Sequence, residues 1–147
     1  MRALFPLDGS EASYAALDRG LALLKAVPGL QVTLLNVMQE GFERPADPEF
    51  VRETFDADEH DEVFPTRASS ERALARGLEI ARKHGVAARA KGEFGRPHDE
   101  ILKEAAHHDV LVMHALPQGG LLGTMKGGGT EKLARAAPCA VLLVRGP

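Results

Sequence analysis

Residues 2–38, RALFPLDGSEASYAALDRGLALLKAVPGLQVTLLNVM, predict a strand, a helix and a second strand in direct succession. The first strand covers Arg2–Leu7, a short apolar run that stops at the turn sequence Asp8-Gly9-Ser10. The second strand, Gln31–Met38, is too continuously apolar to lie at a solvent-facing edge. Between the strands, with Ser10 as N-cap, spacings of three and four residues indicate one apolar helix face, formed by Tyr14, Leu17, Leu21 and Leu24. Two strands joined by a helix predict parallel pairing.

The rest of the chain continues this alternation. A second long helix is predicted from Ser69 or Ser70 to His84, where Gly85 stops it. Another helix begins near Pro97, because the missing N–H of proline costs little in a first turn. The remaining predicted elements are a short helix around Glu131–Ala136 and three strands, Val86–Glu93, Val110–Met113 and Ala140–Arg145. Together they predict an α/β fold of three layers, a five-stranded parallel sheet with about four main helices on its two faces.

The composition is that of an ordinary globular protein. The 147 residues, 44% hydrophobic and 27% charged, match the size and make-up of one domain over residues 1–147. No apolar run approaches the roughly 18–20 residues of a membrane span, and Asp8 comes too early for a signal peptide. The one cysteine, Cys139, cannot by itself form an intrachain disulfide or a cysteine zinc site. We therefore expect a cytoplasmic protein with no membrane partner.

The charge is unevenly distributed along the chain. Residues 39–66 hold ten acids and two arginines, a net charge of −8, whereas the whole chain carries −3 and the remainder therefore +5. We expect residues 39–66 to be an acidic, mobile insert, because like charges repel and three prolines interrupt regular structure. A net-acidic chain with one tyrosine and no tryptophan lacks the basic patch and the stacking aromatics of a nucleic-acid-binding protein.

Three loops are expected to meet at one edge of the sheet, because open parallel sheets bind ligands outside the carboxyl ends of their strands. They are Pro6–Ser10, Val37-Met38 and His114–Gly129. The last has six glycines in sixteen residues and leads into a helix, which suits either an anion site or a flexible loop. The pattern GxxxxGK[ST] is absent, as is GxGxxG directly after the first strand. Their absence argues against a P-loop NTPase and a dinucleotide-dependent dehydrogenase.

Four segments, by their order and spacing, resemble the universal stress protein family over nearly the whole chain. They are LDGSE at Leu7–Glu11, G-x-P-x-x-x-I at Gly95, Pro97 and Ile101, DVLVM at Asp109–Met113, and APCAVLLVR at Ala137–Arg145. The resemblance implies an adenine-nucleotide-binding-like sheet with strand order 3-2-1-4-5. It also implies a cytoplasmic stress role, ATP binding in a subset of members, and a homodimer paired through the last strand. The apolar run within Ala140–Arg145 agrees with such pairing, since an unpaired apolar edge promotes aggregation.

The resemblance also implies where a nucleotide would bind. Pro6 and Asp8 match the P-x-D that follows the first strand in the family, and Val37 matches the position that lines the adenine pocket. Asp8 can accept hydrogen bonds from ribose hydroxyls, or it can cap the turn into the first helix. The implied cofactor-binding residues are Pro6, Asp8, Val37, Met113, His114, Gly127, Gly128, Gly129 and Thr130.

The phosphate-binding part of this pattern is degenerate. The family motif, G-x-x-G followed by nine residues and G-[ST], falls without gaps on His114, Pro117, Gly127 and Gly128, and only Gly127 matches. A histidine replaces the first glycine, Pro117 removes an N–H donor, and Gly128 lacks the hydroxyl. Pairing the later residues Gly129-Thr130 with G-[ST] restores the hydroxyl but needs a two-residue insertion.

No residue pattern predicts dedicated catalysis. Ser10 and Ser13 lie near Asp8 without a histidine adjacent in sequence, and His107-His108-Asp109 is expected to be a surface segment rather than a metal site. We therefore predict a regulatory or binding protein of the universal stress type with weak or absent nucleotide binding. The alternative is a member that binds ATP with magnesium and hydrolyses it slowly. A flavodoxin-like carrier or receiver domain fits less well, because a receiver needs an acidic cluster after its first strand.

Overall fold

The computed structural model describes residues 1–38, 67–115 and 129–145. In the described residues the strands are β1 (Arg2–Pro6), β2 (Gln31–Met38), β3 (Ala88–Phe94), β4 (Val110–Ala115) and β5 (Ala140–Arg145). The helices are α1 (Glu11–Leu24), α2 (Arg67–Lys83), α3 (Pro97–Ala105) and α4 (Gly129–Ala136). The predicted mobility of residues 39–66 and the predicted roles of Pro117, Gly127 and Gly128 fall outside the described residues.

The five strands form one parallel sheet in the order β3-β2-β1-β4-β5, which confirms the predicted fold and strand order. The direction of strand addition reverses between β1 and β4. The two strands pair only at Ala3↔Val110 and Leu4↔Leu111, whereas β4 stays paired with β5 as far as Ala115↔Arg145. Beyond Leu4 the carboxyl ends of β1 and β4 are therefore free to separate, as expected for a crevice at the switch point of an open α/β sheet.

A hydrophobic core lies on each face of the sheet, because side chains alternate between the two faces along every strand. On one face, Phe5, Leu34 and Val112 pack with α1 and α2. On the other face, Leu4, Leu35 and Leu111 pack with α3 and α4. Burial of both faces accounts for the nearly continuous apolar sequences of the central strands.

The main differences from the sequence prediction lie at the ends of elements. β3 begins at Ala88 instead of Val86, because the N–H of Val86 donates to the carbonyl of Ala81 at 3.0 Å and so belongs to the turn that ends α2. Gly85 in that turn has a φ of +71°, a conformation that favours glycine. Pairing with β5 extends β4 two residues beyond the predicted end. Among the described residues, no helix has the length and apolar character needed to cross a membrane.

Candidate functional site

A cavity of about 260 Å³ opens at the carboxyl end of the sheet, where the strand order reverses. Its volume is close to the lower limit of about 300 Å³ for ligand pockets in proteins. Residues from β1, β2, β4 and the three helices α1, α3 and α4 surround it: Pro6, Leu7, Asp8, Ser13, Leu35, Asn36, Val37, Pro97, Ile101, Met113, His114, Thr130 and Leu133. The cavity therefore occupies the place where parallel α/β sheets bind ligands.

The walls of the cavity are mainly apolar. Leu35 and Val37 of β2, Met113 of β4 and Ile101 of α3 belong to the core beneath α3 and α4, and Leu133 of α4 packs against that core. The cavity is thus an opening in the top of this core rather than a groove between surface side chains. Such walls suit a flat, poorly hydrated group such as a heterocyclic base.

Asp8 lies at the exposed rim of the cavity, in the turn between β1 and α1. Its Oδ1 accepts a hydrogen bond from the Ser10 N–H at 2.8 Å, and the next residue, Gly9, has a φ of +88°. Ser10 is the N-cap of α1, since its Oγ accepts from the Ser13 N–H at 3.1 Å. Asp8 therefore caps the turn, as one of the two predicted roles requires. Its Oδ2 has no hydrogen-bond partner among the described residues and remains available to a ligand.

Asn36 lies behind this turn and is almost completely buried, with 3% of its surface exposed. Its Nδ2 donates to the carbonyl oxygen of Leu7 at 2.7 Å. Its Oδ1 is buried and has no partner within the described part of the chain. Asn36 was not among the predicted site residues. The available signal was one amide side chain inside the otherwise apolar run that ends β2.

His114 and Thr130 line the cavity from the end of β4 and the first turn of α4. Both are partly buried. Apart from His114 and Asp8, the described lining residues carry no ionisable side chain, so neither lysine nor arginine is among them. The described walls therefore favour the uncharged part of a ligand and supply no fixed positive charge for a phosphate chain.

Six of the predicted site residues meet at this one cavity: Pro6, Asp8, Val37, Met113, His114 and Thr130. Gly129 is the first residue of α4, and Gly127 and Gly128 lie outside the described residues. Ligand contact by any of these residues stays a prediction. The lining residues contributed by the core and by the start of α3 were not among the predicted site residues, because their places depend on packing between elements distant in sequence.

Two polar side chains of the predicted surface segment His107–Asp109, those of His108 and Asp109, have structural partners. Asp109 accepts hydrogen bonds from the Arg2 N–H at 2.7 Å and from the Arg2 guanidinium, which together hold the pKa of its carboxyl below the usual value. His108 Nδ1 donates to the carbonyl of Glu104 at 2.9 Å. Burial raises the pKa of the Cys139 thiol, which disfavours the reactive thiolate. In the ranges that the structure describes, no group of three or more His, Cys, Asp or Glu side chains is arranged to hold a metal ion.

Comparison with known proteins gives one consistent result. The sequence model of the Universal stress protein family matches residues 1–145. No curated protein matches the chain. A universal stress protein solved in complex with cAMP is similar over 100% of this chain and 98% of its own, with a TM-score of 0.73 and 19% identity.

Two further solved structures are similar at the level of the fold. A universal stress protein family protein from Arabidopsis thaliana with AMP bound is matched over 100% of this chain and 92% of its own, with a TM-score of 0.66 and 18% identity. The universal stress protein from Archaeoglobus fulgidus in complex with dAMP is matched over 97% of this chain and 96% of its own, with a TM-score of 0.64 and 14% identity.

Proposed function

This chain belongs to the universal stress protein family, and on that premise we propose that it is a regulatory protein that binds the adenosine part of an adenine nucleotide. The observation that carries the proposal is the position of Asp8 at the rim of an apolar cavity at the switch point of the sheet, with an Oδ2 that has no partner in the described part of the chain. Similar proteins have been solved in complex with cAMP, AMP and dAMP, which supports the same ligand class here.

The proposed binding mode uses two chemically different parts of the cavity. The adenine base lies against the apolar side chains of Val37, Met113 and Ile101, where it leaves water. The ribose lies near Asp8, because a carboxylate oxygen accepts hydrogen bonds from hydroxyl groups. Hydrogen bonds that involve a charged group contribute about 1.5–3 kcal/mol each. Asp8 is therefore expected to dominate the polar part of the affinity.

We expect a weak contribution from a phosphate chain. The described walls of the cavity contain no lysine or arginine, and His114 replaces the first glycine of the family's phosphate motif. Mg-ATP is accordingly expected to bind weakly or not at all, and no tighter than AMP. The chain is proposed to act without catalysis of its own, since no nucleophile and base are paired at the described part of the cavity.

Calorimetric titration of the purified protein with AMP and with Mg-ATP tests the proposal. Asp8→Ala should weaken AMP binding about 10- to 10²-fold, the effect of losing one or more charge-assisted hydrogen bonds. Asp18→Ala is the matched control, because Asp18 is an exposed aspartate of α1 that pairs with His84 at 2.7 Å and does not line the cavity. Failure of the wild-type protein to bind AMP contradicts the proposal. Micromolar Mg-ATP binding accompanied by phosphate release supports the hydrolytic alternative instead.

We further propose that the protein is a homodimer paired through β5. β5 pairs with β4 on one side, and its other edge has no partner strand among the described residues. Leu143 of this strand is 47% exposed, which is unusual for a leucine within an apolar strand. Covering this edge with a second copy would remove both the unpaired backbone groups and the exposed side chain from water.

Sedimentation at tens of micromolar distinguishes the two states of association. The wild-type protein should sediment as a dimer, and Leu143→Lys should sediment as a folded monomer. Leu23→Lys, which alters another exposed leucine on α1, should leave the dimer intact. A wild-type monomer, or a folded Leu143→Lys dimer, contradicts the proposal. The cytoplasmic location and the stress role stay predictions, tested by cell fractionation and by survival of a deletion strain under stress.

A further inference from the structure

We infer that Asn36 is a positioning residue that holds the Asp8 turn in place to receive the ribose diol. The inference rests on the proposed function, because it explains how the site keeps its main polar group aligned. Asn36 acts through its hydrogen bond to the Leu7 carbonyl, and Asp8 is the next residue in the chain.

The hydrogen bond from Asn36 replaces a backbone hydrogen bond at the point where the ladder between β1 and β2 ends. The ladder between β1 and β2 closes with Pro6↔Leu35, and the Leu7 N–H then donates to the Leu35 carbonyl at 2.7 Å. The Leu7 carbonyl lies beyond this ladder, and the Asn36 side chain supplies its donor at 2.7 Å. A side chain of β2 thus performs the task that a backbone N–H performs along the rest of the strand.

Burial makes this hydrogen bond decisive for the position of the turn. Leu7 and Asn36 are 2% and 3% exposed, so water cannot readily replace the amide donor. A buried carbonyl without a donor is costly, so the chain would move to expose it. The turn is therefore held at two points, at the Leu7 carbonyl by Asn36 and at Asp8 Oδ1 by the Ser10 N–H.

The Oδ1 of Asn36, for which residues 1–38, 67–115 and 129–145 supply no partner, argues against a role in packing alone. An apolar side chain of similar size would avoid burying an acceptor that has no partner among the described residues. It would, however, remove the donor to Leu7. The favourable contribution of Asn36 therefore lies in Nδ2, the atom that is bonded to the start of the Asp8 turn.

Two variants without the amide donor, Asn36→Leu and Asn36→Ala, test the inference. In both, the Ser10 amide should exchange with solvent faster than in the wild type. The reason is that the Asp8 turn has lost the hydrogen bond between Asn36 and the Leu7 carbonyl. The preference for AMP over 2′-deoxy-AMP, expected at about tenfold for one hydroxyl bonded to a carboxylate, should fall towards one. Val32→Ala is the matched control, since Val32 is buried on the same face of β2 but far from the cavity. It should destabilise the protein and leave both measurements unchanged.

The outcomes separate this inference from the proposed function. A folded Asn36 variant with wild-type Ser10 exchange and wild-type preference for AMP overturns the inference while leaving nucleotide binding intact. A wild-type protein that binds neither nucleotide refutes the proposed function. If the Ser10 amide still exchanged faster in the variants, Asn36 would hold the turn without any ribose to bind, and the inference as stated would be overturned as well. If neither variant folds, the side-chain NH₂ protons of Asn36 in the wild type decide. Slow exchange that AMP slows further supports the inference, and exchange unchanged by AMP overturns it.

Discussion

The two ends of the sheet differ in how completely their polar side chains are hydrogen-bonded within the described residues. At the amino end, Asp109 accepts from the backbone and guanidinium of Arg2, and its own N–H donates to the Arg2 carbonyl at 2.8 Å. The N–H of Gln31 similarly donates to the Met1 carbonyl. At the carboxyl end, Asp8 Oδ2 and Asn36 Oδ1 have no partner among the described residues.

This difference separates stability from binding within one sheet. A polar group whose partners belong to its own chain contributes to the folded state and has little left to offer a ligand. The exposed carboxylate oxygen of Asp8 keeps its hydration on folding, and a ligand hydroxyl can take the place of that water. The amino end is therefore expected to respond to mutation through stability, and the carboxyl end mainly through affinity.

The largest expected effect breaks the comparison by removing a side chain at the carboxyl end, so that a phosphate group can approach the backbone N–H groups there. His114→Gly restores the first glycine of the phosphate motif, and we expect Mg-ATP affinity to rise about 10- to 10²-fold, as for one hydrogen bond to a charged phosphate. AMP affinity should change less. Calorimetry with both nucleotides measures the ratio, and His98→Gly, outside the cavity, is the control. An unchanged ratio would show that His114 does not limit phosphate binding.

A second test uses a substitution at Gly77 of α2, which is expected to lower both the stability of the protein and its affinity for AMP. A Cβ added at Gly77 would lie 2.5 Å from Leu7 Cδ1 and 2.9 Å from Leu34 Cδ1. Gly77→Ala should therefore destabilise the protein by about 1–2 kcal/mol through overpacking. It should also weaken AMP binding, because Leu7 precedes Asp8. Chemical denaturation and calorimetry measure the two effects.

Gly20→Ala is the matched control for this variant. Its Cβ would lie 2.8 Å from Phe5 Cε1 and 2.9 Å from Val112 Cγ1, in the middle of the sheet. A comparable loss of stability without a loss of AMP affinity is expected. If Gly77→Ala instead raised stability, as alanine does in an unobstructed helix, the expected overpacking would be contradicted, and the side chains of Leu7 and Leu34 would have moved to accommodate the methyl group.

At the amino end, a smaller effect is expected and only on stability. Arg2→Ala removes the guanidinium partner of Asp109, a pair with both side chains about half exposed. Exposed pairs contribute little, so Tm should fall by less than about 4 °C. AMP affinity should stay at the wild-type value. A clear loss of affinity in this variant would show that the two ends are coupled.

The smallest expected effect is the pH dependence of that same pair. Because Arg2 lowers the pKa of Asp109 in the folded protein, its stabilisation is complete above the unfolded pKa of about 3.9. It is lost as the pH falls through the lower folded pKa. Wild type should therefore be slightly more stable than Asp109→Asn at neutral pH, and the difference should vanish in acid. Denaturant midpoints measured across this range test the sign.

The sequence predicted most of the fold because each element carries its own local signal. Gln31–Met38 and Ala140–Arg145 were predicted with the bounds that the structure shows, and Ser10 was correctly identified as the N-cap of α1. The predicted start of β3 was wrong. A hydrogen bond from the Val86 N–H to the Ala81 carbonyl determines where the strand begins, and amino-acid composition does not reveal that bond. Strand order followed from the family resemblance rather than from periodicity.

The candidate site was predictable only where the neighbouring sequence of a residue indicates its position. Asp8 follows a strand and precedes a glycine, so its place at the carboxyl edge follows from connectivity alone. The neighbours of Asn36 in the sequence do not indicate its role, since its hydrogen-bond partner, Leu7, is 29 residues away along the chain. The same holds for the cavity wall, which Ile101 and Leu133 complete only when α3 and α4 pack on the sheet.

The sequence by itself determined the alternation of strands and helices and the turn at Asp8, because these depend on neighbours within a few residues. Only the tertiary structure decided that β1 and β4 cease to pair after Leu4, so that a cavity opens between their ends. It also decided which polar atoms keep an internal partner and which do not. Hydrogen bonding depends on distances of about 3 Å between atoms, and folding sets those distances between residues that are remote in sequence.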